Sequence, residues 1–351
     1  MKKLLKISIV ISLIFSMSCS EDLLHDQNLP DDVNIDLSLS KKAPVYDGID
    51  FAVDGFTSLL FYSNITGPDG IHVLNKNKLL VTKEYKSEEE PDGIEGVYLA
   101  KRGWQFSLSD AFSSIGLPFI SPDDIVADET GTLYVADGQA QTVFKIDKHG
   151  GTPIPFVTTS TTGSDTFNPF GVAITPIGFD GPNVDPGDLI VCDNAYGSFG
   201  QTNPTWAVWA VNRSTGTAKI IAQGNAFTNG PINAGFNSEG TLFISLNTAG
   251  TEFNKIVTLD PYGNVADFID ELSAPFFAIH PLTDDIYCKK HISEIHVIHK
   301  GSIVSSLFAS NLGNTRPSTQ DMVFNKQGTS LYISSRFVSG ILEIYNKKGN
   351  W

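Results

Sequence analysis

Apolar and polar positions along this chain alternate in short runs, and almost none of these runs follows a helical period. From residue 45 onward, β-rich runs of four to seven residues recur between turns made of Gly, Asn, Asp and Pro. Runs of that length, bounded by turn residues, are typical of β-strands rather than helices. The pattern therefore predicts an all-β protein built from many short strands.

One unit recurs through this β-rich region. It consists of a proline, a short apolar strand, a turn with Gly, Asn or Asp, and a second strand that starts with an aliphatic residue. The clearest copy is "PDDIVADETGTLYVAD", and a third β run follows every copy. The copies start at Pro68, Pro122, Pro169, Pro231, Pro275 and Thr319. Repeats of this kind with a more variable fourth strand are typical of propeller blades, so the sequence predicts a six-bladed β-propeller over residues 45–351.

The two ends of the repeat region complement each other. The last copy stops at Trp351 after its third strand, whereas the segment Gly55 to Ser63, "GFTSLLFYS", precedes the first copy. We expect this N-terminal strand to complete and close the last blade, which removes both open sheet edges. A solenoid or a pair of β-sandwiches is the alternative, but neither explains why the last repeat lacks what the N-terminal region has spare.

The first residues have the features of a secretory signal. Residues 1–18 combine a basic start, an apolar run from Leu4 to Phe15, and small residues before Cys19. The apolar run is too short to span a bilayer core of roughly 30 Å. The "SMSC" ending at Cys19 resembles a bacterial lipobox, which implies that Cys19 is acylated and attaches the protein to a membrane. Ser16 stands where the usual motif has Leu, and an ordinary cleaved signal is the alternative.

Residues 19–44 predict an acidic, flexible tether, because they are polar and show no sustained period. Glu21 and Asp22, close behind Cys19, resemble the acidic signal that directs some Bacteroidetes lipoproteins to the cell surface. We therefore expect an outer-membrane lipoprotein that is exposed at the cell surface. A periplasm-facing orientation is the alternative.

Charge and cysteine content restrict the partners and the chemistry. The formal net charge is −15, and an acidic chain repels phosphate backbones, so nucleic acid is not expected as a partner. Cations, glycans or basic patches of an envelope protein fit this charge better. Cys192 and Cys288 lie inside apolar strand patterns and are expected to be free, buried side chains. A disulfide between them is the alternative in an oxidising compartment.

A propeller brings particular positions of each repeat together. The first strand of each blade starts beside the central channel and the second strand ends on the same face, so polar residues there converge at a channel mouth. The candidate ligand-binding residues at these positions are Asp124, Asp137, Asp193, Asn194, Asn233, Asn247, Asp321 and Arg336. The alternative is that these side chains cap turns and bond backbone amides, as Asp and Asn often do.

The segment "PDDIVADETGTLYVADGQAQTVFKID" is the most distinctive of the repeats. It has a Gly before the second strand, then "LYVAD", then a third strand that ends in Ile-Asp. These features resemble the NHL-repeat family and, more loosely, the senescence marker protein / gluconolactonase family. Because the pattern is generic to six-bladed propellers, it implies the fold far more than an activity.

The gluconolactonase resemblance also implies a divalent-ion site. That family holds its ion through carboxylate and amide side chains, several of them between the first proline of a repeat and the next glycine. Here these positions are Asp69, Asp123, Phe170, Ile232, Phe276 and Gln320. Asp69 and Asp123 are candidate ligands for a cation such as Ca²⁺, but Phe170 and Ile232 replace the oxygen ligands that a hard cation needs. Phe170, Phe276 and Phe277 are expected to form an apolar wall on one side of the mouth.

Other segments carry weaker signals. The long loops at residues 84–96 and 193–206 predict high walls beside the mouth, and the run Glu88 to Glu90 is expected to be a solvated tip. The segment "DGPNVDPGD" at residues 180–188 is expected to form a turn rather than a calcium loop. His291, His296 and His299 are not expected to share a metal, since residues three apart in a strand point to opposite faces.

Two functions of different classes fit these observations. The first is a lipid-anchored cell-envelope propeller that acts as a binding or scaffolding module for a protein, a glycan or a small ligand. The alternative is a metal-dependent hydrolase or lactonase of the gluconolactonase-like propeller type. The incomplete set of ion ligands favours the first function, and a tightly bound stoichiometric metal would favour the second.

Overall fold

The computed structural model describes residues 43–84, 93–195, 205–247, 254–272, 276–291, 293–312, 319–348 and 351. These residues form six sheets arranged as the blades of a β-propeller, which confirms the predicted all-β fold class. Within these described residues, helical structure is limited to α1 (Thr159–Thr162) and two 3-10 turns, Leu108–Asp110 and Gly224–Ala226. In the ranges given above, no helix has the length and apolar character needed to cross a membrane.

The strands follow the predicted repeats in chain order. Two strands precede the first blade, and their bounds are β1 (Asp50–Phe51) and β2 (Phe56–Ser63). Blade one contains β3 (Pro68–Asn75), β4 (Lys78–Lys83) and β5 (Gly96–Lys101), followed by β6 (Trp104–Gln105). Blade two contains β7 (Pro122–Ala127), β8 (Leu133–Asp137), β9 (Thr142–Ile146) and β10 (Ile154–Thr158). Blade three contains β11 (Pro169–Ile174), β12 (Leu189–Asp193), β13 (Ala207–Val211) and β14 (Ala218–Gln223).

The second half of the chain repeats this order. Blade four contains β15 (Gly230–Phe236), β16 (Leu242–Asn247), β17 (Asn254–Leu259) and β18 (Val265–Leu272). Blade five contains β19 (Phe277–Ile279), β20 (Ile286–His291), β21 (Glu294–Ile298) and β22 (Ser305–Ser310). Blade six contains β23 (Thr319–Phe324), β24 (Ser330–Ser335) and β25 (Gly340–Asn346). Each strand pairs antiparallel with the next strand of its own blade.

The hydrophobic core is divided into layers between neighbouring blades. Between blades three and four, Ile190 and Cys192 pack in one cluster with Ile244 and Leu246. A middle strand therefore buries side chains on both of its faces, which explains why β8 and β12 are continuous apolar runs instead of alternating ones. Cys192 and Cys288 are both buried and free, as expected from these runs.

The N-terminal strand closes the ring as predicted. β2 pairs antiparallel with β25, from Phe56 opposite Asn346 to Ser63 opposite Gly340. Leu59, Phe61 and Tyr62 are buried by this pairing. The last blade thus obtains its outer strand from the opposite end of the chain, and neither partner is left as an open edge.

The N-terminal segment reaches further than the sequence indicates. β1 adds a short fifth strand to blade five, where Asp50 lies opposite Ser310. Pro44 accepts a hydrogen bond from the N–H of Leu60 at 3.0 Å, and Ala43 is buried. Ala43 and Pro44, which the sequence assigns to the tether, therefore lie against the propeller. The remainder of that tether, the signal and Cys19 lie outside the described residues.

Blade one departs from the repeat, because the described residues after β5 form no fourth strand. They instead make β6, which runs parallel to β2 with Trp104 opposite Tyr62, and a single bridge between Tyr98 and Ala111. Asp110 fixes this diversion by accepting hydrogen bonds from the Tyr62 hydroxyl at 2.9 Å and from Lys101 at 3.2 Å. The outer edge of blade one is thereby tied to blade six.

Close packing of the first strands around the axis positions the channel mouth. A Cβ on residue 70 would lie 2.7 Å from the carbonyl oxygen of Asp123 in the next blade, so only glycine fits there. Gly171 approaches Ile232 of blade four in the same way. Asp69 and Phe170, which directly precede these glycines, are consequently held close to the axis, where they line one cavity.

Candidate functional site

A cavity of about 130 Å³ lies at the predicted channel mouth, where first strands begin and second strands end. We call it the mouth. Its lining is Asp69, Glu84, Asp123, Asp124, Phe170, Ile232, Asn233, Phe276, Asp321 and Arg336. The predicted ring positions of all six blades are therefore represented in one cavity.

The side of the mouth formed by blades one and two is acidic. Asp69 and Asp123 occupy corresponding positions in β3 and β7, directly after the first proline, and Glu84 directly follows β4. Carboxylate oxygens of these three residues all lie within 4.8 Å of one another. The Ser121 hydroxyl donates to Glu84 Oε2 at 3.1 Å. The arrangement brings three acids into mutual contact range in a partly desolvated space.

Arg336 is the one cationic side chain in the described lining of the mouth. It follows β24 of blade six, and its guanidinium contacts the Glu84 carboxylate and lies 3.8 Å from Asp69 Oδ2. Burial lowers the pKa of Arg336, and Asp69 partly opposes this effect. One guanidinium is thus set against several carboxylates.

Burial is the main influence on the protonation of this acidic side. It raises the pKa of Asp69 well above its ordinary value, an effect that Arg336 opposes and that the neighbouring carboxylates of Asp321 and Asp124 reinforce. Burial also raises the pKa of Asp123, and the adjacent Asp69 adds to it. Burial and the neighbouring carboxylates together outweigh the effect of Arg336, so a further cation bound near Asp69 and Asp123 would favour their ionised forms.

Asp124 and Asp321 play a different part, because backbone amides from two blades occupy their oxygens. Asp124 accepts from the N–H of Ile125 at 2.7 Å and from that of Val172 in blade three at 2.8 Å. Asp321 accepts from the N–H of Met322 at 2.7 Å and from that of Ile71 in blade one at 2.8 Å. Burial raises the pKa of Asp124 to about 6. These two aspartates connect blades and also form the floor of the mouth.

The opposite side of the mouth is apolar. Phe170, Ile232 and Phe276 line it, in the positions that correspond to Asp69 and Asp123 in the acidic half. Phe277, which we grouped with them, is buried against blade four instead. Asn233 is the polar residue on this side. The mouth therefore has one charged wall and one hydrophobic wall.

The remaining predicted ligand-binding residues do not line the mouth. Asp137 is buried and accepts from the N–H groups of Ile120, Ser121 and Ala140 at 2.8–3.0 Å. Asp193 accepts from the N–H groups of Asn168 and Ala195 and from Trp209 Nε1, at 2.8–3.1 Å. These two acids hold loops and strands in place, which is the alternative that the sequence left open for them.

Asn194 and Asn247 also lie away from the mouth lining. Asn194 is buried, close to Gly230, and its Oδ1 has no hydrogen-bond partner among the described residues. Asn247 ends β16 and is half-buried. Of the eight predicted ligand-binding residues, the mouth thus brings together Asp124, Asn233, Asp321 and Arg336.

Glu84 lies at a strand-end position that the repeat predicts, because it directly follows β4 as Gly138 follows β8, although it is not among the eight candidate ligand-binding residues. Its importance comes from the contact with Arg336, which is far away in sequence. The side chains of Gln320 and His291 lie outside the described residues, as do residues 85–92 and 196–204 of the two long loops.

The residues present do not fit the multi-blade ion site that the gluconolactonase resemblance implies. Asp69, Glu84 and Asp123 have the carboxylate chemistry that a hard cation prefers. Phe170, Ile232 and Phe276, however, stand where blades three to five would have to supply oxygen ligands. The Arg336 guanidinium also contacts two of the three carboxylates, so the charge that an ion would supply is already partly provided.

Two further groups of residues that the sequence singles out have defined hydrogen-bond partners. The 180–188 segment forms a turn with a bridge between Gly181 and Val184, and Asp188 accepts from the N–H of Asp185 at 3.0 Å. His296 bonds Glu294 at 2.9 Å, whereas His299 bonds Asp285 at 3.1 Å. These two histidines therefore have separate partners.

Two solved structures support the architecture, and a third aligns less closely. A gluconolactonase from Xanthomonas campestris aligns with a TM-score of 0.58 and 11% identity, over 88% of this chain and 99% of its own. A second protein, assigned as a gluconolactonase, aligns with a TM-score of 0.56 and 13% identity, over 84% of this chain and 94% of its own. A streptogramin B lyase aligns with a TM-score of 0.48 and 13% identity, over 82% and 97% of the two chains.

Sequence comparisons identify no family and no relative for this chain. No protein-family model matches the chain, and no curated protein matches it either. At 11–13% identity, the structural similarity to the two gluconolactonase propellers establishes the fold and not the activity. The chain is therefore a six-bladed β-propeller of the architecture that gluconolactonases use, with a two-sided mouth of its own composition.

Proposed function

We propose that this chain is a ligand-binding propeller of the bacterial cell envelope, whose mouth binds the cationic end of a small amphipathic ligand. The observation that carries the proposal is the two-sided mouth, with Asp69, Glu84 and Asp123 on one wall and Phe170, Ile232 and Phe276 on the other. An envelope protein or glycan that presents such a group is the expected source of the ligand. Attachment through an acylated Cys19 would hold the binding site at the outer membrane.

Electrostatics support a cation at the mouth. Asp69 is buried and Asp123 is half-buried, and Arg336 is the one cation beside several neighbouring acids in the described lining, so an additional positive charge would stabilise the ionised forms of both aspartates. The faces of Phe170 and Phe276 can add cation–π attraction if the charge lies within about 6 Å of a ring. A ligand with a positive group beside an apolar group meets both walls at once.

The size of the mouth limits what can enter. Its volume of about 130 Å³ is slightly below that of an engineered cavity of about 150 Å³ that accommodates benzene. Pockets that enclose a whole drug-sized ligand usually measure about 300–1,000 Å³. The mouth therefore takes the head of a ligand, and the rest of the molecule extends along the face.

Calorimetric titration with benzyltrimethylammonium, compared with neutral benzyl alcohol, tests this function. We expect the cation to bind and the alcohol to bind at least about tenfold more weakly, a difference of ~1.4 kcal/mol. Asp69→Asn and Phe170→Ala should each lower the affinity for the cation. Asp260→Asn, in a turn after β17, should leave that affinity unchanged. Equal binding of cation and alcohol, or equal binding by wild type and Asp69→Asn, would refute the proposal.

The second candidate function is a metal-dependent hydrolase, which the mutual proximity of Asp69, Glu84 and Asp123 favours. Elemental analysis of the purified protein separates it from the first. Stoichiometric calcium or zinc that is lost in Asp69→Ala or Asp123→Ala would establish an ion site and reverse our preference. Background metal that is equal in wild type and both variants would leave the binding function as stated.

The envelope location has its own test. Cys19→Ser should release a soluble protein from the membrane fraction, because stable attachment depends on acyl chains at that residue. Protease added to intact cells should cleave the wild-type protein if it is exposed at the surface. Sedimentation of Cys19→Ser with membranes would exclude the lipid anchor, and protection from protease would favour a periplasm-facing orientation.

A further inference from the structure

A second, larger cavity lies behind the mouth, between the first strands of the blades. It has a volume of about 350 Å³, within the range of small-molecule pockets. We call it the channel. Asp124, Asn233 and Asp321 line both cavities, so they separate the mouth from the channel. Asp69, Glu84, Asp123 and Arg336 belong to the mouth alone.

Most residues that line the channel are apolar, and polar atoms account for a substantial part of the surface that they expose. Side chains of every blade contribute to the walls, including Val126, Ile174, Phe236, Ile279 and Val323. His72 of β3 is half-buried among them, and the exposed Lys326 lies at the far end of the lining segment of blade six. The composition favours a ligand whose body is hydrophobic.

The inner end of the channel is polar and fixed in position. Asp124 accepts a hydrogen bond from the backbone amide of Val172, and Asp321 accepts one from that of Ile71. Each also accepts from the amide of the residue that follows it in sequence. A carboxylate oxygen has two acceptor positions, so each keeps acceptor capacity after these bonds are made. Asn233 adds a side-chain amide at the same level. A hydroxyl hydrogen that reaches this end finds acceptors that are already oriented.

We propose that the channel is a second binding site, distinct from the mouth, for a small uncharged phenol or aryl alcohol. The ring lies between the apolar walls, and the hydroxyl group donates to Asp124 or Asp321. An anion is disfavoured because it would approach two aspartates, and a cation gains more at the mouth, where three further carboxylates lie. The site does not depend on the function proposed for the mouth.

Titration with 4-ethylphenol tests this second site, with benzoate as the anionic control of similar size. We expect 4-ethylphenol to bind wild type and Asp69→Asn with the same affinity, since Asp69 does not line the channel. Ala234 lines the channel and packs against the core layer between blades three and four, so Ala234→Leu adds bulk to the lining and should weaken binding by about tenfold or more. Ala266→Leu, on the exposed face of β18, is the matched control and should bind as wild type does.

The outcomes separate this site from the mouth. Competition between 4-ethylphenol and benzyltrimethylammonium, loss of 4-ethylphenol binding in Asp69→Asn, or unchanged binding in Ala234→Leu would each overturn the proposal. If Ala234→Leu does not fold, a crystal soaked with 4-bromophenol gives the answer by anomalous scattering. A bromine peak among Val126, Ile174 and Phe236 supports the site, and bromine found only elsewhere refutes it.

Discussion

The Asp321 carboxylate of blade six accepts a hydrogen bond from the backbone N–H of Ile71 in blade one, at 2.8 Å and across 250 residues of sequence. The equivalent bond in the next pair of blades joins Asp124 and Val172. The propeller is therefore closed twice. β2 joins the first and last parts of the chain at the rim, and Asp321 joins them beside the axis.

Removing this inner connection should destabilise the fold. Asp321→Ala leaves the N–H groups of Ile71 and Met322 without their acceptor, and each buried orphan donor costs about 1–3 kcal/mol. We expect the free energy of unfolding in urea to fall by that order. Asp165→Ala, in the exposed segment before β11, is the control variant. Asp128→Ala is not used because Asp128 pairs with Arg213, and its loss would itself alter stability. Equal stability of Asp321→Ala and wild type would contradict the closure role.

Closure at the rim can be tested by shortening the chain. A protein that starts at Ala43 keeps β1, β2 and the bond from Leu60 to Pro44, so it should melt as the full-length protein does. A protein that starts at Ile65 loses Leu59, Phe61 and Tyr62, and burial of each such side chain contributes about 1.5–3 kcal/mol. Their sum approaches the ~5–15 kcal/mol stability of a typical domain, so we expect aggregation. Calorimetry and light scattering give the readout, and two equal melting temperatures would refute rim closure.

The repeat made the architecture predictable. A proline, two short strands and a turn recur with nearly constant spacing, so the blades and the strand missing from the last one could be read from Pro122 to Asp137 and its copies. Two features follow from contacts that no repeat encodes. Asp110 diverts the chain after β5, and Asp50 extends blade five, because both depend on where the N-terminal segment lies in space.

The site was predictable by position but not by role. Asp123 and Asp124 are adjacent and equally polar, yet Asp123 faces the mouth cluster and accepts from one backbone amide, that of Gly138 at 2.8 Å, while Asp124 accepts from amides of two blades. Which of the two remains available depends on how closely the next first strand approaches. Asp137 and Asp193 fulfil the same positional rule and are nevertheless fully engaged by amides and Trp209. Sequence alone carries no measure of these distances.

This difference in role gives a paired prediction. Asp69→Asn removes a buried charge whose nearest cation is 3.8 Å away, so stability at neutral pH should be unchanged or increased while affinity for a cationic probe falls. Asp193→Asn should do the reverse. An amide has one acceptor oxygen, so at least one donor among Asn168, Ala195 and Trp209 loses its partner, at a cost of about 1–3 kcal/mol.

Urea unfolding and calorimetric titration on the same two variants check the pair. The expected pattern is opposite in the two measurements, with stability reduced only in Asp193→Asn and affinity reduced only in Asp69→Asn. A variant protein that loses both properties would show that binding and stability share one set of acids. If Asp69→Asn is strongly destabilised, Asp69 belongs with the structural aspartates and the acidic wall loses its assigned role.

His72 should make stability depend on pH in a defined direction. Burial lowers its pKa to about 4, whereas an exposed histidine in the unfolded chain titrates near 6.5. As pH falls from about 6.5 to 4, the unfolded chain binds this proton first, so the folded state loses its advantage over that interval. His72→Gln keeps a polar side chain of similar length that does not titrate.

The difference in unfolding free energy between wild type and His72→Gln should therefore shift against wild type between pH 7.5 and pH 4.5. Urea unfolding at both values measures it, and since the other acids are common to both proteins, their titration largely cancels. A difference that stays constant would mean that the folded channel allows His72 to protonate as it does in water.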